Sequence, residues 1–262
     1  SGTGQEGFSR CEVTVDRKGR RASSARAYLH PVRNRRNLTV HDHALVTRIL
    51  FEGDRACGVA YEHHGRPVEA HTAREVILCG GSYNSPQLLM LSGIGPQAML
   101  AEHGIAPRYD APEVGANLAE HPIVYMSFET NDAATFLSTL RIDRAAVSVL
   151  QWFVGGKGPF ASQITSGILM LRTRPELVQP DIQLVFLPVR LDAKLWVPGI
   201  GKRQEQVLSV MVMQLHPESR GSVALRSADP AAAPRIDLNL LSTPRDFSDL
   251  REGIRAVRSI FA

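Results

Sequence analysis

Short runs of apolar and β-branched residues, separated by turn residues, predict strands in the first third of the chain. Four runs fit this pattern, at residues 38–41, 45–51, 56–62 and 75–78. Glu52-Gly53-Asp54 separates the second run from the third and is typical of a hairpin turn. This part of the chain is therefore predicted to be a small meander of strands.

The region after residue 120 predicts a second group of strands together with two longer helices. An amphipathic helix is expected near residues 142–154, and a last helix begins after Thr243. Strands are expected at residues 123–128, 167–171, 182–187, 207–213 and 222–225. This pattern predicts a sheet packed against helices.

Two shorter elements are expected near the start of the chain. Residues 12–15 form a short strand candidate. Ser23 can cap a helix that should stop near His30, because the residue before Pro31 is pushed away from helical conformation.

Residues 76–95 predict a strand, a glycine turn and a helix in that order. Apolar residues 76–78 lead into Gly80 and Gly81, and Ser85 is a natural N-cap with Pro86 at the first helical position. The exposed backbone of two glycines and the N–H groups of a following helix can approach a phosphate or a ribose closely. A plain tight turn explains the two glycines equally well.

A second helix at residues 96–103 is followed by a proline- and glycine-rich connection at 107–122. We interpret this connection as the boundary between two domains, at residues 1–118 and 119–262. The predicted fold class is α+β, derived from an α/β arrangement.

Composition narrows the class of protein. The chain has 262 residues, of which 44% are hydrophobic and 21% charged, so it can bury a sizeable core. No apolar run is long enough for a transmembrane segment, and the polar N-terminus is unlike a signal peptide. Three scattered cysteines predict neither a disulfide framework nor a cysteine zinc site, and they favour a cytoplasmic location.

The formal net charge of +4 is concentrated partly in two basic runs, at residues 17–21 and 33–36. These runs lack the interleaved aromatic residues of a single-strand binding surface, so we expect no nucleic-acid partner. The histidines of His41-Asp42-His43 and His63-His64 are close enough in the sequence to suggest a metal site. Their spacing lacks the order of a zinc site, and we expect solvated strand-end histidines.

Four segments together resemble the glucose-methanol-choline (GMC) oxidoreductase family. Residues 81–95, which read GSYNSPQLLMLSGIG, match the second signature of that family. Residues 19–29, 114–122 and 216–221 carry more of the family pattern, so the resemblance spans nearly the whole chain. Glu120 departs from the aspartate usual in the family, but it retains the carboxylate.

The resemblance implies a flavoprotein that uses FAD to oxidise a small-molecule alcohol. In such proteins the strand leading to Gly80 and Gly81 runs beside the ADP half of FAD, and the position of Val46 meets the adenine through its backbone. Ser82 and Ser85 are expected near the cofactor, although helix capping explains Ser85 equally well. The similarity favours a choline dehydrogenase-like or broad alcohol oxidoreductase.

The resemblance also implies that the chain is a central fragment. The dinucleotide fingerprint of the family is expected before Ser1, and the catalytic histidine and its partner beyond Ala262. No catalytic residue is therefore assigned within the chain, which alone should neither retain FAD nor turn over. We further expect self-association through exposed apolar surface. The alternative is a non-catalytic binding or structural module that has kept the fold.

Overall fold

Most strands form where β-branched and apolar residues cluster, between glycine and proline turns. A computed structural model describes residues 5–131, 135–161, 164–200 and 204–262. Its strands are β1 (Gly7–Ser9), β2 (Ala44–Glu52), β3 (Arg55–His63), β4 (Arg66–His71), β5 (Ile94–Gly95), β6 (Tyr109–Asp110), β7 (Ile123–Glu129), β8 (Gly167–Leu171), β9 (Ile182–Leu187), β10 (Val207–Gln214), β11 (Ser222–Ala224) and β12 (Arg235–Asp237). Its α-helices are α1 (Gly81–Leu91), α2 (Gln97–Glu102), α3 (Ile142–Gly155) and α4 (Pro244–Ile260). This mixture of helix and sheet agrees with the predicted fold class.

The chain divides into two compact units that alternate along the sequence. Unit 1 contains Ser1–Arg35, His121–Glu218 and Thr243–Ala262. Unit 2 contains Arg36–Glu120 and Ser219–Ser242.

Unit 1 is built on a five-stranded antiparallel sheet with the order β1-β8-β9-β10-β7. Ile182, Leu184, Val210 and Val212 are completely buried on β9 and β10, where α4 packs. Gly253 permits this close packing, because a Cβ atom there would lie only 2.8 Å from Val212 Cγ1. The apolar stripe of α4 thus supplies the second layer of the core.

A carboxylate of α4 is buried in the same unit. Asp249 is 5% exposed, and its Oδ1 accepts a hydrogen bond of 3.0 Å from Arg174 Nη1. Burial raises the pKa of Asp249 above the ordinary value of 3.8, against the opposing effect of the Arg174 guanidinium. The neutral carboxyl therefore suits this site better than it suits water.

This burial predicts how stability depends on pH. A raised carboxyl pKa stabilises the fold below the ordinary pKa, and this contribution is lost as pH rises through the native pKa. Asp249→Asn, which mimics the neutral form, should therefore gain stability relative to the wild type as pH rises above about 4. Urea denaturation followed by tryptophan fluorescence measures the difference, because Trp152 and Trp196 both belong to unit 1.

The control for this experiment is Asp143→Asn. The pKa of Asp143 is lowered to about 2 by its hydrogen bonds with Arg141, so its contribution is lost as pH falls. Relative to the wild type, the free energy of unfolding of Asp249→Asn should therefore rise with increasing pH, and that of Asp143→Asn should fall. If plots of the free energy of unfolding against pH stay parallel for Asp249→Asn and the wild type between pH 4 and pH 7, the pKa of Asp249 is not raised.

Unit 2 combines a three-stranded antiparallel sheet, β2-β3-β4, with helices α1 and α2. Helix α1 packs on β2, where Ile49 N donates a hydrogen bond of 2.9 Å to Ser92 Oγ. Met90, Leu100 and Leu225 form a buried cluster. The helices are thereby held beside one edge strand of the sheet.

Hydrogen bonding between chain segments explains where the sequence predictions for strands were wrong. Residues 38–41 and 75–78 form no strand, because a strand needs a ladder partner and none of the described segments pairs with them. Val15 forms only an isolated bridge with Arg21, and β1 lies earlier than the predicted 12–15. Strand β4 was missed because Pro67 resembles a turn residue, although proline is tolerated on an edge strand.

Helix boundaries also differ from the predictions. Helix α1 begins at Gly81, so Ser85 lies within the helix and Gly80 occupies the N-cap position. Near the start of the chain, a π-helical turn (Ala25–Leu29) runs into a 3-10 turn (His30–Val32). Pro31 does not end this segment, because it begins a new helical turn where its missing N–H is not needed. The hairpin at Gly53, α2, α3 and α4 are confirmed.

No helix in the described residues is long and apolar enough to cross a membrane.

Candidate cofactor site

A large groove of unit 2 runs along the start of β2 and helix α1, with a volume of about 820 Å³. This volume is typical of a pocket for a small molecule or cofactor. One wall is Val46 on β2, and another is the extended segment 76–80 that leads into α1. Asn84, Ser85 and Leu88 on α1 and the loop 230–234 complete the lining.

Val46 lies at an irregular place in its strand. The pairing of β2 with β3 shifts between Val46 and Arg48, which leaves Thr47 as an extra residue of a β-bulge. Strand β2 also pairs on one side only among the described strands. Backbone groups near Val46 are therefore available to a ligand on the outer edge of this sheet.

Gly80 and Ser85 both line the large groove. A side chain at position 80 would meet Asn84 Cβ at 3.1 Å and Ser85 N at 3.1 Å, so glycine keeps the first turn of α1 open. The first N–H groups of a helix lack partners within the helix and carry its positive dipole end. This end of the groove can therefore accept negatively charged or hydroxyl oxygens.

Gly81 and Ser82 lie elsewhere. Gly81 has φ +78 and lies in open space, and it does not line the large groove. Ser82 lines a separate pocket of about 210 Å³ with Pro86 and Leu118. Of the five predicted cofactor residues, the structure brings Val46, Gly80 and Ser85 together and leaves Gly81 and Ser82 outside this groove.

The segments that carry the family pattern meet beside this second pocket. Leu118 N donates to Gly221 O at 3.0 Å, and Gly221 N donates to Leu118 O at 2.7 Å. Val223 N donates to Gly115 O at 2.7 Å. Residues 114–118 are thus bound to residues 221–223, although about a hundred positions separate them in the sequence.

Part of the groove was missed by sequence reasoning. The loop 230–234 reaches the groove through a hydrogen bond of 2.8 Å from Gln87 Nε2 to Ala232 O. No local pattern in the sequence marks such a contact. Asn84 could have been found, because it lies one helical turn after Gly80 once the true start of α1 is known.

The histidines near β2 and β3 contact one another. The ring centroids of His63 and His64 are 4.3 Å apart, and those of His41 and His63 are 5.3 Å apart. Within the residues described, no group of three potential ligands has the geometry of a metal site.

The walls of the large groove fit the adenosine part of a dinucleotide. Valine, leucine and alanine side chains supply flat apolar contact for a purine, and polar groups cluster at the start of α1. Gln87 is already engaged by Ala232, so the free polar groups lie towards Gly80 and Asn84. The arrangement suits an apolar ring with a polar tail.

Comparison with known proteins identifies the family. Residues 1–123 and 217–262 match the N-terminal and C-terminal models of GMC oxidoreductase, and these matches cover more than half of the chain. The chain is 38% identical over 260 residues to an oxygen-dependent choline dehydrogenase of Paraburkholderia phytofirmans, covering 99% of this chain and 46% of that protein. For the Staphylococcus haemolyticus protein of the same name, the identity is 40% over 266 residues, covering 100% and 45%.

Solved structures agree with this match. A formate oxidase from Aspergillus oryzae RIB40, studied for its FAD modification, superposes with a TM-score of 0.84 at 28% identity, covering 96% of this chain and 48% of that one. A pyridoxine 4-oxidase from Mesorbium loti shares the fold, with a TM-score of 0.77 at 24% identity, covering 98% and 46%. The chain spans less than half the length of these relatives. The chain belongs to the GMC oxidoreductase family.

Proposed function

We propose that this chain is part of an FAD-dependent oxidoreductase that oxidises a CH–OH group to a carbonyl. FAD, when bound, supplies an acceptor for the hydride that leaves the alcohol carbon. The observation that carries the proposal is the groove at the start of α1, where Val46, Gly80 and Ser85 meet. The relatives named as choline dehydrogenases favour a small alcohol, such as a choline-like one, as the substrate class.

Residues of this chain have a binding role in the proposal. The apolar walls around Val46 would hold the adenine and exclude water from its faces, and the first turn of α1 would donate hydrogen bonds to polar atoms of the ADP half. Ser85 lines the groove and would contact the same half, whereas Gly81 and Ser82 would lie near the cofactor only from outside the groove. We assign no catalytic base within residues 1–262.

We assign the FAD-binding role to unit 2, which contains the whole segment 36–118, and a substrate-binding role to the sheet of unit 1. The chain passes from unit 2 to unit 1 at residues 120 and 121, which supports a boundary near residue 118.

The first experiment is the intact mass of the native gene product together with its flavin absorbance spectrum. A product about twice this length with bound flavin supports the proposal.

A native product that ends near Ala262 and binds no flavin would favour the alternative, a non-catalytic module with this fold.

A cytoplasmic location is part of the proposal. It is supported by Cys11, Cys57 and Cys79, none of which forms a disulfide among the described residues, as expected in a reducing compartment.

Self-association is also proposed, through apolar residues on the edge strands of unit 1. Phe8 is exposed on β1 and Tyr125 on β7, and both strands have an unpaired edge among the described strands. Light scattering at high protein concentration tests this point. A strict monomer would contradict it.

Filling the groove should weaken cofactor binding in the native gene product. Ala233 lines the groove from an exposed loop, so Ala233→Trp places a large ring in the space proposed for adenosine. After flavin removal and reconstitution, we expect the Kd for FAD to rise by about tenfold or more, equivalent to about 1.4 kcal/mol. Flavin fluorescence titration measures this change.

The matched control is Ala228→Trp. Ala228 is exposed in the same loop and does not line the groove, so this variant should bind FAD like the wild type. Equal affinities for the two variants would place the adenosine elsewhere. Equal thermal stability of both variants would show that the loop tolerates tryptophan.

A further inference from the structure

Helix α3 turns its less apolar side inward. Ala145 and Ser148 are buried, and Trp152 is partly buried beside them. The outward side carries exposed large apolar residues instead: Ile142, Val147, Val149, Leu150, Phe153 and Val154. This is the reverse of an ordinary surface helix, whose apolar stripe faces the core.

These exposed residues form one continuous surface. Ile142, Val149 and Phe153 follow one another at seven and four residues, which places them in a row along the helix. Leu150 and Val154 lie on the adjacent row. Phe153 is 74% exposed and Val154 is 78% exposed. We call this surface, from Ile142 to Val154, the α3 face.

A basic turn lies at the C-terminal end of the α3 face. Trp152 Nε1 donates a hydrogen bond of 2.9 Å to Gly19 O, which fixes the turn against the helix. Gly19 also meets Gly156, and neither position has space for a side chain. The turn carries four exposed cationic side chains, those of Arg17, Lys18, Arg20 and Arg21.

Hydrogen bonds to Asp16 fix the backbone of the basic turn. Asp16 Oδ1 accepts hydrogen bonds from Lys18 N at 2.8 Å and from Arg20 N at 2.9 Å. The other oxygen of Asp16 lies 3.7 Å from Arg26 Nε. The Asp16 carboxylate is therefore engaged by the turn itself and by a more distant arginine.

One neighbouring carboxylate, that of Asp16, offsets only part of the charge of this basic turn. Within the ranges that the structure covers, no ion pair involves the side chains of residues 17, 18, 20 or 21. Lys157, just beyond the helix, adds another exposed cation. Positive charge is thus placed at the C-terminal end of α3, where the turn is bound to Trp152.

The apolar surface continues at the N-terminal end of α3. Ile142 N donates a hydrogen bond of 3.0 Å to Trp196 O, which brings the neighbouring Leu195 to this end of the helix. Leu195 is exposed, and Lys194 precedes it. Cations therefore accompany the apolar surface at both ends.

We propose that the α3 face and the basic turn dock on the surface of an anionic lipid bilayer. Helices with one apolar face and basic residues around it lie in the plane of the membrane interface. Anionic headgroups attract nearby lysine and arginine, whereas an apolar protein partner would gain nothing from this charge. This surface goes beyond the proposed oxidoreductase function and does not depend on it.

Co-sedimentation with vesicles tests the proposal. We expect the chain to bind phosphatidylcholine vesicles that contain about one quarter phosphatidylglycerol, and to bind pure phosphatidylcholine at least about tenfold more weakly. High salt should reduce binding to the anionic vesicles. No binding to the anionic vesicles would overturn the proposal.

Matched variants separate the α3 face from apolar surface in general. Val154→Glu places a charge in the α3 face and should lower the partition coefficient by about tenfold. Val178→Glu is the control, because Val178 is 94% exposed in the same unit and is not part of α3. Equal loss in both variants, or in neither, would overturn the assignment to α3.

The contribution of the basic turn is measured by Lys18→Gln together with Arg20→Gln. Each cation contributes about fivefold to binding, so the double variant should bind anionic vesicles about twentyfold more weakly. Light scattering without lipid provides the competing outcome. A dimer that is lost in Val154→Glu, together with no vesicle binding, would assign the α3 face to a second copy of the chain instead.

Discussion

Replacement of Gly115 by alanine is expected to lower the free energy of unfolding of unit 2 by about 3 kcal/mol. Gly115 has φ +86, a conformation that costs a residue with a side chain about 1–2 kcal/mol. A Cβ atom at this position would also lie closer than 3.0 Å to Val223 O. Overpacking of this kind adds about 1–3 kcal/mol.

The Gly115 experiment needs a probe of unit 2. Both tryptophans lie in unit 1, so urea denaturation is followed by far-ultraviolet circular dichroism and by amide hydrogen exchange in α1. Gly104→Ala is the matched control, because Gly104 has φ +68 and nothing within 4 Å of an added Cβ. In this control the free energy of unfolding should fall only by the cost of the left-handed backbone conformation, about 1 kcal/mol. Equal losses in the two variants would show that the approach of Val223 costs nothing.

Replacement of Asp246 by alanine is expected to cost unit 1 about 3–5 kcal/mol of unfolding free energy. Asp246 is completely buried, and its Oδ1 accepts hydrogen bonds from Glu218 N at 2.7 Å and from Gln214 Nε2 at 3.2 Å. Alanine would leave both donors buried without this acceptor, and each such loss costs about 1–3 kcal/mol.

Tryptophan fluorescence follows the Asp246 experiment, because Trp152 and Trp196 report on unit 1. Asp246→Asn is the conservative variant, since an amide oxygen still accepts from Glu218 N. It should recover about half of the loss. If Asp246→Ala unfolds at the same urea concentration as the wild type, the buried bonds to Asp246 do not stabilise unit 1.

Local sequence pattern was sufficient where a segment satisfies its own hydrogen bonds. Helices α2, α3 and α4 were predicted close to their observed bounds, because helical hydrogen bonds lie within the segment. Strands β7, β8, β9 and β10 of unit 1 and the Gly53 hairpin were also found, because alternation and turn residues are local signals, whereas β1 was missed. Strand β4 escaped because an edge position tolerates Pro67, which sequence pattern reads as a turn.

The candidate groove was only partly predictable, for the same physical reason. Residues near Gly80 were found because glycines and a helix start are visible in the sequence. The loop 230–234 was not, because its place depends on the hydrogen bond between Gln87 and Ala232 across a long stretch of chain. The exact start of α1 was missed because Ser85-Pro86 resembles a helix start, whereas Pro86 is the sixth residue of this helix.

The return of residues 219–242 to unit 2 has a consequence for folding during synthesis. Strand β11 binds residues 115–118, so unit 2 cannot close until the ribosome has made the intervening part of unit 1. At ordinary translation rates this delay is on the order of ten seconds. During that time the main chain of Gly115 and Leu118 lacks its partners at Gly221 and Val223. Unit 2 therefore gains these backbone hydrogen bonds only after residue 223 has been made.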